Sequence, residues 1–417
     1  MPKISKNALK FKKNISAVKE IMNFAEPKYI ENLGINPNEL ISMAGGWVNH
    51  ESPEELRRSY EKIISQKDQF HNSGKYSATL GEAKFKKAVC HFEKKLYNMD
   101  INEDEVIGGL GSTQLTMNLF YTLIDSGDKI VMLDPYYCNF PTQLITCVPD
   151  VKISTFSVID EKDWKYLAEE RIENFYNFII KEKPQIILLT CPDNPTSKIL
   201  SDNFLEKTLE AAKIVDAYLI VDFAYKELIF QDYFPKYFSW PPNNNFIAIR
   251  SNSKWCRGLG RRLGWIEAPK EVIDAMESIQ NSTSLCPDTL HQMAFSDFIM
   301  NSLENNNLEN YIKSTRKLYR EVSEKTHLYL KKYLKFPIIA PDAGLYFFIN
   351  VNFDGTKFVE NALKYSGVLF VPGWGFGRTG KNAIRLSIGP LVNQENKIEE
   401  GIIRISETLD KIFKKEK

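Results

Sequence analysis

Lys254 stands in the stretch Ser251-Asn-Ser253-Lys254-Trp-Cys-Arg257-Gly258-Leu-Gly260-Arg261-Arg262-Leu-Gly264, a lysine between small residues followed by a glycine-broken basic loop. A protonated lysine is a poor nucleophile. It becomes a Schiff-base former when neighbouring positive charge or desolvation lowers its pKa. Arg257, Arg261 and Arg262 all follow within eight residues, and one of them could hold a phosphate bidentately. Ser251 and Ser253 leave room for a bulky ligand beside the amine. A basic surface loop has the same pattern, so the meaning of this stretch depends on the residues that join it.

Those residues come from strand-like runs upstream. Gln185–Leu189 is a continuous apolar run that ends in Thr190-Cys-Pro192-Asp-Asn194-Pro195-Thr196-Ser197. An amphipathic helix is predicted over Asn203–Ala217. Tyr218–Val221 then reads as a strand ending at Asp222-Phe-Ala-Tyr225, and Phe246–Ile249 as another ending at the Ser251–Lys254 loop. Short strands buried on both faces and alternating with helices describe a parallel α/β sheet. Ligands of such sheets sit at the carboxyl ends of the strands. Asn194, Asp222, Tyr225, Ser251 and Lys254 fall at three successive strand ends.

Other segments offer ligand-binding chemistry with less specificity. Gly108-Gly109-Leu-Gly111-Ser112-Thr113-Gln114 opens a helix over Leu115–Ile124, which fits either a phosphate seat or a plain cap with a flexible lead-in. Lys129–Leu133 reads as a strand, followed by Tyr136 and Tyr137, which could stack on a flat ring or simply pack. Leu40–Asn49 ends in the pair Gly45-Gly46, which allows close backbone approach or a simple turn before a helix at Pro53–Ser65. Tyr76-Ser-Ala-Thr-Leu-Gly81 precedes a helical pattern over Glu82–Tyr97.

Tyr311–Leu334 reads as a long charged helix. Beyond it, Leu345–Asn350, Val368–Val371 and Ile384–Ile388 alternate with helical stretches and a last helix over Gln394–Phe413, as in a smaller α+β domain. Arg385 lies inside an apolar strand, where a charge needs an anionic partner, either a ligand or a structural carboxylate. The expected division is an N-terminal arm with part of the small domain at 1–60, a large domain at 61–305 and a small domain at 306–417. Residues 1–40 read as an arm and a short helix lying on another surface.

Composition narrows the partners. The 417 residues are 43% hydrophobic and 12% aromatic, enough for real cores. Lys+Arg of 54 against Asp+Glu of 53 gives a net charge of +1, which offers no electrostatic case for nucleic acid or an anionic membrane. The basic end Lys411–Lys417 reads as a solvated helix end. The six cysteines form no CxxC pair, and the five histidines form no HxxxH or HExxH pattern. Reduced thiols and no metal site are therefore expected. The N-terminus carries Lys3, Lys6, Lys10, Lys12 and Lys13 without an apolar h-region, and a cytoplasmic protein is expected.

With these residues in place, the chain resembles the fold-type I pyridoxal-phosphate enzymes, specifically the class I/II aminotransferases, from about Ile41 to the last helix. The resemblance rests on Asn194-Pro-Thr, the Asp222-x-x-Tyr225 pair, Ser251-x-Ser-Lys254 with Arg262 eight residues on, and the Arg385 strand, in the family's order. It implies a large domain with a mostly parallel seven-stranded sheet plus a smaller α+β domain. It implies that Lys254 binds pyridoxal 5'-phosphate as a Schiff base and moves the substrate Cα proton. By the same resemblance Asp222 pairs with the pyridine nitrogen, Tyr225 and Asn194 reach the 3-hydroxyl oxygen, and Tyr137 stacks on the ring. Arg262, Ser251 and the Gly111-Ser112-Thr113 turn hold the phosphate. Tyr76 reaches the phosphate of a neighbouring subunit, so a homodimer is implied. Arg385, with the Gly46 backbone, clamps the substrate carboxylate.

Three departures stand out. Ser197 replaces the family's usual glycine, and a serine that avoids positive φ implies a local backbone change. The loop after Lys254 is more basic than usual, either for structural reasons or to face an acidic substrate. The segment Gly46–His50 lacks the common proline, and Trp47, Asn49, His50 and Trp374 are expected in the pocket wall. The expected reaction moves an amino group between an amino acid and a 2-oxo acid. The alternative is another reaction on the same cofactor: a lyase, a side-chain cyclase or an oxidase. A ligand-sensing domain of a transcription regulator would need a DNA-binding domain for which the N-terminal forty residues leave no room. A degenerate scaffold does not fit an intact Lys254, Asp222 and Arg262.

Overall fold

A computed structural model describes residues 2–6, 8–9, 19 and 22–413. Lys10, Lys12 and Lys13 of the basic N-terminus, and the basic end from residue 414 on, lie outside the described residues. In chain order the strands are β1 (Ile41–Ser42), β2 (Val106–Gly109), β3 (Lys129–Asp134), β4 (Lys152–Ser157), β5 (Ile159–Asp160), β6 (Lys165–Tyr166), β7 (Ile186–Thr190), β8 (Tyr218–Asp222), β9 (Phe246–Ser251), β10 (Gly264–Glu267), β11 (Ile338–Ile339), β12 (Tyr346–Asn350), β13 (Val368–Leu369), β14 (Val371–Pro372) and β15 (Ala383–Ser387).

Seven of them form one sheet in the order β2-β10-β9-β8-β7-β3-β4. β10 runs antiparallel to both of its neighbours, and the contiguous pairs from β9 to β4 are parallel. Successive side chains of a strand point to opposite faces. Ile186 and Leu188 accordingly pack into one core while Ile187 and Leu189 pack into another. Helices must cover both faces, which is why β7 is buried at every position and reads as an unbroken apolar run.

A second, antiparallel sheet has the order β11-β12-β15-β14. The expected strand over Val368–Val371 divides at Phe370: β13 pairs in parallel with β1, and β14 joins β15. The helix Asn307–Tyr333 spans 27 residues and buries Leu308, Ile312, Thr315, Tyr319, Val322, Thr326 and Leu330 at helical spacing. Among the described residues no helix is long and apolar enough to cross a membrane, and no cluster of metal-ligating side chains is found.

Candidate active site

The parallel strands deliver their carboxyl ends to one cavity of about 760 Å³. Lys254, Ser251, Asp222, Tyr225, Asn194, Tyr137, Ser112, Thr113, Arg262, Arg385, Gly46 and Trp47 all line it. Gly111 and Tyr76 are not among its lining residues.

Lys254 Nζ donates to the carbonyl of Gly46 at 2.5 Å and lies 5.7 Å from the Tyr225 ring centre. Burial, then the Arg385 guanidinium, lowers its pKa to about 8; Asp222 opposes the shift and Arg262 adds to it. Asp222, 6% exposed, accepts from the Ala224 N–H at 3.0 Å. Burial pushes its carboxyl up to about 6. A buried carboxylate and an amine of lowered pKa in one cleft are the pair expected at a catalytic centre.

The same lining brings a helix N-terminus and Arg262 together. The helix Ser112–Leu123 starts after Gly111 with no side-chain cap, so its first N–H groups are free for an anion. A Cβ on Gly111, at φ +82, would stand 2.7 Å from Arg262 Nη2. Only glycine lets that guanidinium come so close to the turn. Arg262 itself has φ 52 and is fixed by donation to the Leu259 carbonyl at 2.7 Å. Ser251 Oγ donates to Ser253 Oγ at 2.8 Å.

Arg385 resolves the choice left open by its sequence. It is 6% exposed, yet its partners are neutral: Asn194 Oδ1 at 2.9 Å, the Ala44 carbonyl at 2.9 Å and the faces of Tyr346 and Phe376 at 4.2 and 4.9 Å. Its Nε is buried without a hydrogen-bond partner among the described residues. Among the described residues no carboxylate meets the guanidinium, so an anionic ligand would fit there. Amine, acid, phosphate cradle and carboxylate clamp together match a small anionic cofactor and an amino acid.

The family model of the class I and II aminotransferases matches residues 40–405. The chain belongs to that family. Its relatives include an aspartate aminotransferase of Thermotoga maritima, 26% identical over 84% of this chain and 86% of the relative. They also include an aromatic-amino-acid aminotransferase of Thermococcus litoralis, 22% identical over 94% of this chain and 97% of the relative. The fold is that of Thermus thermophilus aspartate aminotransferase solved with maleate, with a TM-score of 0.83 at 21% identity over 98% of this chain and 100% of that one.

The aminotransferase differs from expectation in several places. Ser197 does adopt positive φ, at 56. It is fully buried, and its Oγ accepts from the Tyr346 N–H at 3.0 Å. Asn49, His50 and Trp374 are not among the cavity-lining residues. His50 bonds Tyr319 Oη at 2.9 Å and the Trp255 carbonyl at 3.1 Å, and burial lowers its pKa to about 4, so it is a structural imidazole. Arg257 donates to the His50 carbonyl and to Asn49 Oδ1, and Arg261 donates to the Arg257 carbonyl, which makes the extra basic residues structural.

Other cavity residues escaped the sequence. Tyr346 lies on the same face of the antiparallel sheet as Arg385, diagonal to it, and its hydroxyl meets that of Tyr225 at 2.6 Å. The alternation of β12 could have found it. Met22, Ala25, Ser42 and Leu259 also line the cavity, and nothing in their local pattern points there. The turn after β3 is held to the connection between β14 and β15: Asp134 Oδ1 accepts from Thr379 N and Oγ1, and Tyr136 N donates to the Phe376 carbonyl. That anchor fixes the entry to Tyr137.

Proposed function

We propose that this aminotransferase binds pyridoxal 5'-phosphate and moves an amino group from an L-amino acid to a 2-oxo acid. The observation that carries this reading is the convergence of Lys254, Asp222, Arg262 and Arg385 on one cavity. The cofactor, when bound, supplies an aldehyde carbon and a protonated pyridine ring that withdraws electrons. The chain's own groups do the rest. Lys254 would hold the cofactor through Nζ, and its free amine would take and return the substrate Cα proton. Asp222 would pair with the pyridine nitrogen and keep it protonated. Asn194 and Tyr225 would bind the ring's 3-hydroxyl oxygen, and Tyr137 would stack on the ring. Arg262, Ser251 and the turn Gly111-Ser112-Thr113 hold the phosphate. Arg385 grips the α-carboxylate with two parallel N–H donors beside the Gly46 backbone. The donor acid leaves as its 2-oxo acid, and a second 2-oxo acid takes up the amino group.

The reading extends to the assembly. Tyr76, 84% exposed, serves a neighbouring subunit's phosphate in a cytoplasmic homodimer. The chain divides into an arm with part of the small domain at 1–60, a large domain at 61–305 and a small domain at 306–417.

Borohydride reduction followed by mass analysis tests the covalent step. Wild-type protein is expected to gain one cofactor on Lys254, while Lys254→Ala gains none and loses activity by about 10³-fold or more. A Lys254→Ala protein that still attaches the cofactor sinks the assignment. Release of ammonia without return of the cofactor's amine form would point to a lyase.

A further inference from the structure

We propose that Tyr346 is a positioning residue that acts on the cofactor through Tyr225: its hydroxyl donates to Tyr225 Oη and leaves the Tyr225 proton for the ring's 3-hydroxyl oxygen. This deepens the reading that pyridoxal 5'-phosphate binds at Lys254 and rests on it. The two phenol oxygens lie 2.6 Å apart, and both side chains are buried. Among the described residues neither hydroxyl has another hydrogen-bond partner. A phenol carries one proton, so a pair that shares one hydrogen bond has one proton left over. Both side chains line the cavity, so that proton is left for a ligand. The surroundings set the direction of the shared bond. Burial raises the pKa of Tyr346, and the Arg385 guanidinium is the next cause and opposes the rise. Burial raises Tyr225 well above the usual range, and the neighbouring Tyr346 adds to it. Tyr346 is thus the more acidic phenol and the better donor, and Tyr225 accepts.

Three other segments hold Tyr346 in place. Its N–H donates to Ser197 Oγ at 3.0 Å, in the turn after β7. The Arg385 guanidinium of β15 lies over its ring at 4.2 Å. A Cβ on Gly46 would fall 2.8 Å from Tyr346 Oη, so the hydroxyl packs against that backbone. The Tyr225 ring meets the Tyr346 ring nearly edge-on, at 76° with centres 5.7 Å apart. A fixed donor in turn fixes the phenol that accepts from it. Tyr225 stands beside the reacting amine, with its ring centre 5.7 Å from Lys254 Nζ. Two hydrogen bonds in a chain polarise each other, so losing the first weakens the second. Donation to the 3-hydroxyl oxygen competes with that oxygen's pull on a protonated Lys254 nitrogen. It therefore lowers the pH at which the nitrogen gives up its proton.

Absorbance titration of the cofactor-loaded protein, without substrate, reads that pH as the midpoint of a colour change. Tyr346→Phe keeps the ring and its contact with Arg385 but removes the donor. It is expected to raise the midpoint by about 0.3 pH unit or more. In a Tyr225→Phe background the same substitution is expected to move the midpoint less than half as far, because the group it acts through is gone. A smaller or a downward shift from Tyr346→Phe alone overturns the inference. So does a shift of half the size or more in the Tyr225→Phe background, which would mean that Tyr346 acts on the cofactor by another route. If wild-type protein shows no cofactor band, the cofactor reading falls and this inference falls with it. A band that does not titrate between about pH 5 and pH 10, or whose midpoint ignores Tyr346→Phe, overturns this inference alone.

Discussion

At the scale of single residues, chemistry at this site depends on how much of Lys254 is neutral. Burial lowers its pKa to about 8, with Arg385 the next cause. The neutral amine is the form that attacks an aldehyde, so capture of added pyridoxal 5'-phosphate by cofactor-free protein should track its fraction. With a pKa near 8 that fraction rises about fivefold from pH 7 to pH 8 and levels off above about pH 9. An ordinary lysine would still gain about sevenfold from pH 9 to pH 10. Stopped-flow absorbance measures the profile directly. Arg385→Gln removes a nearby positive charge and should move the midpoint upward. A wild-type midpoint at about 10, the range of an ordinary lysine, would show that Lys254 is not desolvated.

At the scale of elements, two effects compete at Ser197 in the turn after β7. Its positive φ of 56 costs about 1 kcal/mol for a residue with a Cβ. Its Oγ, however, satisfies the buried Tyr346 N–H at the start of β12, and losing that partner costs about 1–3 kcal/mol. The hydrogen bond wins. Ser197→Gly relieves the strain but strands the N–H, so a net loss of about 1 kcal/mol is expected. Ser197→Ala keeps the strain and loses the bond, a loss of about 2 kcal/mol. Urea unfolding should rank wild type above glycine and glycine above alanine, and a glycine variant more stable than wild type would reverse the assignment. This detail was illegible in the sequence because the compensating partner lies 149 residues away. Legibility elsewhere follows the same rule. β7, β8 and β9 could be read because burial on both faces leaves apolar runs, and their carboxyl ends carried Asn194, Asp222 and Lys254 with them. β4 is an edge strand with exposed Lys152 and Thr155 and no such run, and β2 is only four residues long, Val-Ile-Gly-Gly. Trp47 lines the cavity, whereas His50 does not. A histidine near a glycine pair looks the same whether its ring faces a ligand or, as here, Tyr319.

At the scale of the whole molecule, the question is whether one chain completes its own site. Tyr76 lies outside its own cavity and is 84% exposed, among the most exposed large side chains described. If it serves a partner's phosphate, each site joins Lys254 of one subunit to Tyr76 of the other. Complementation then separates the two cases. Lys254→Ala homodimers lack the amine in both sites, and Tyr76→Ala homodimers lack the phosphate contact in both. In a mixed dimer one site receives Lys254 from the Tyr76→Ala subunit and Tyr76 from the Lys254→Ala subunit, so it is intact, while the other carries both defects. Random exchange of equal amounts makes about half of the dimers mixed, so about a quarter of all sites become wild-type. Activity measured at limiting cofactor, where the phosphate contact matters most, should therefore rise on mixing to about a quarter of the wild-type value per subunit. Were Tyr76 to act within its own chain, every site would keep one lesion and mixing would add nothing beyond the mean of the two variants.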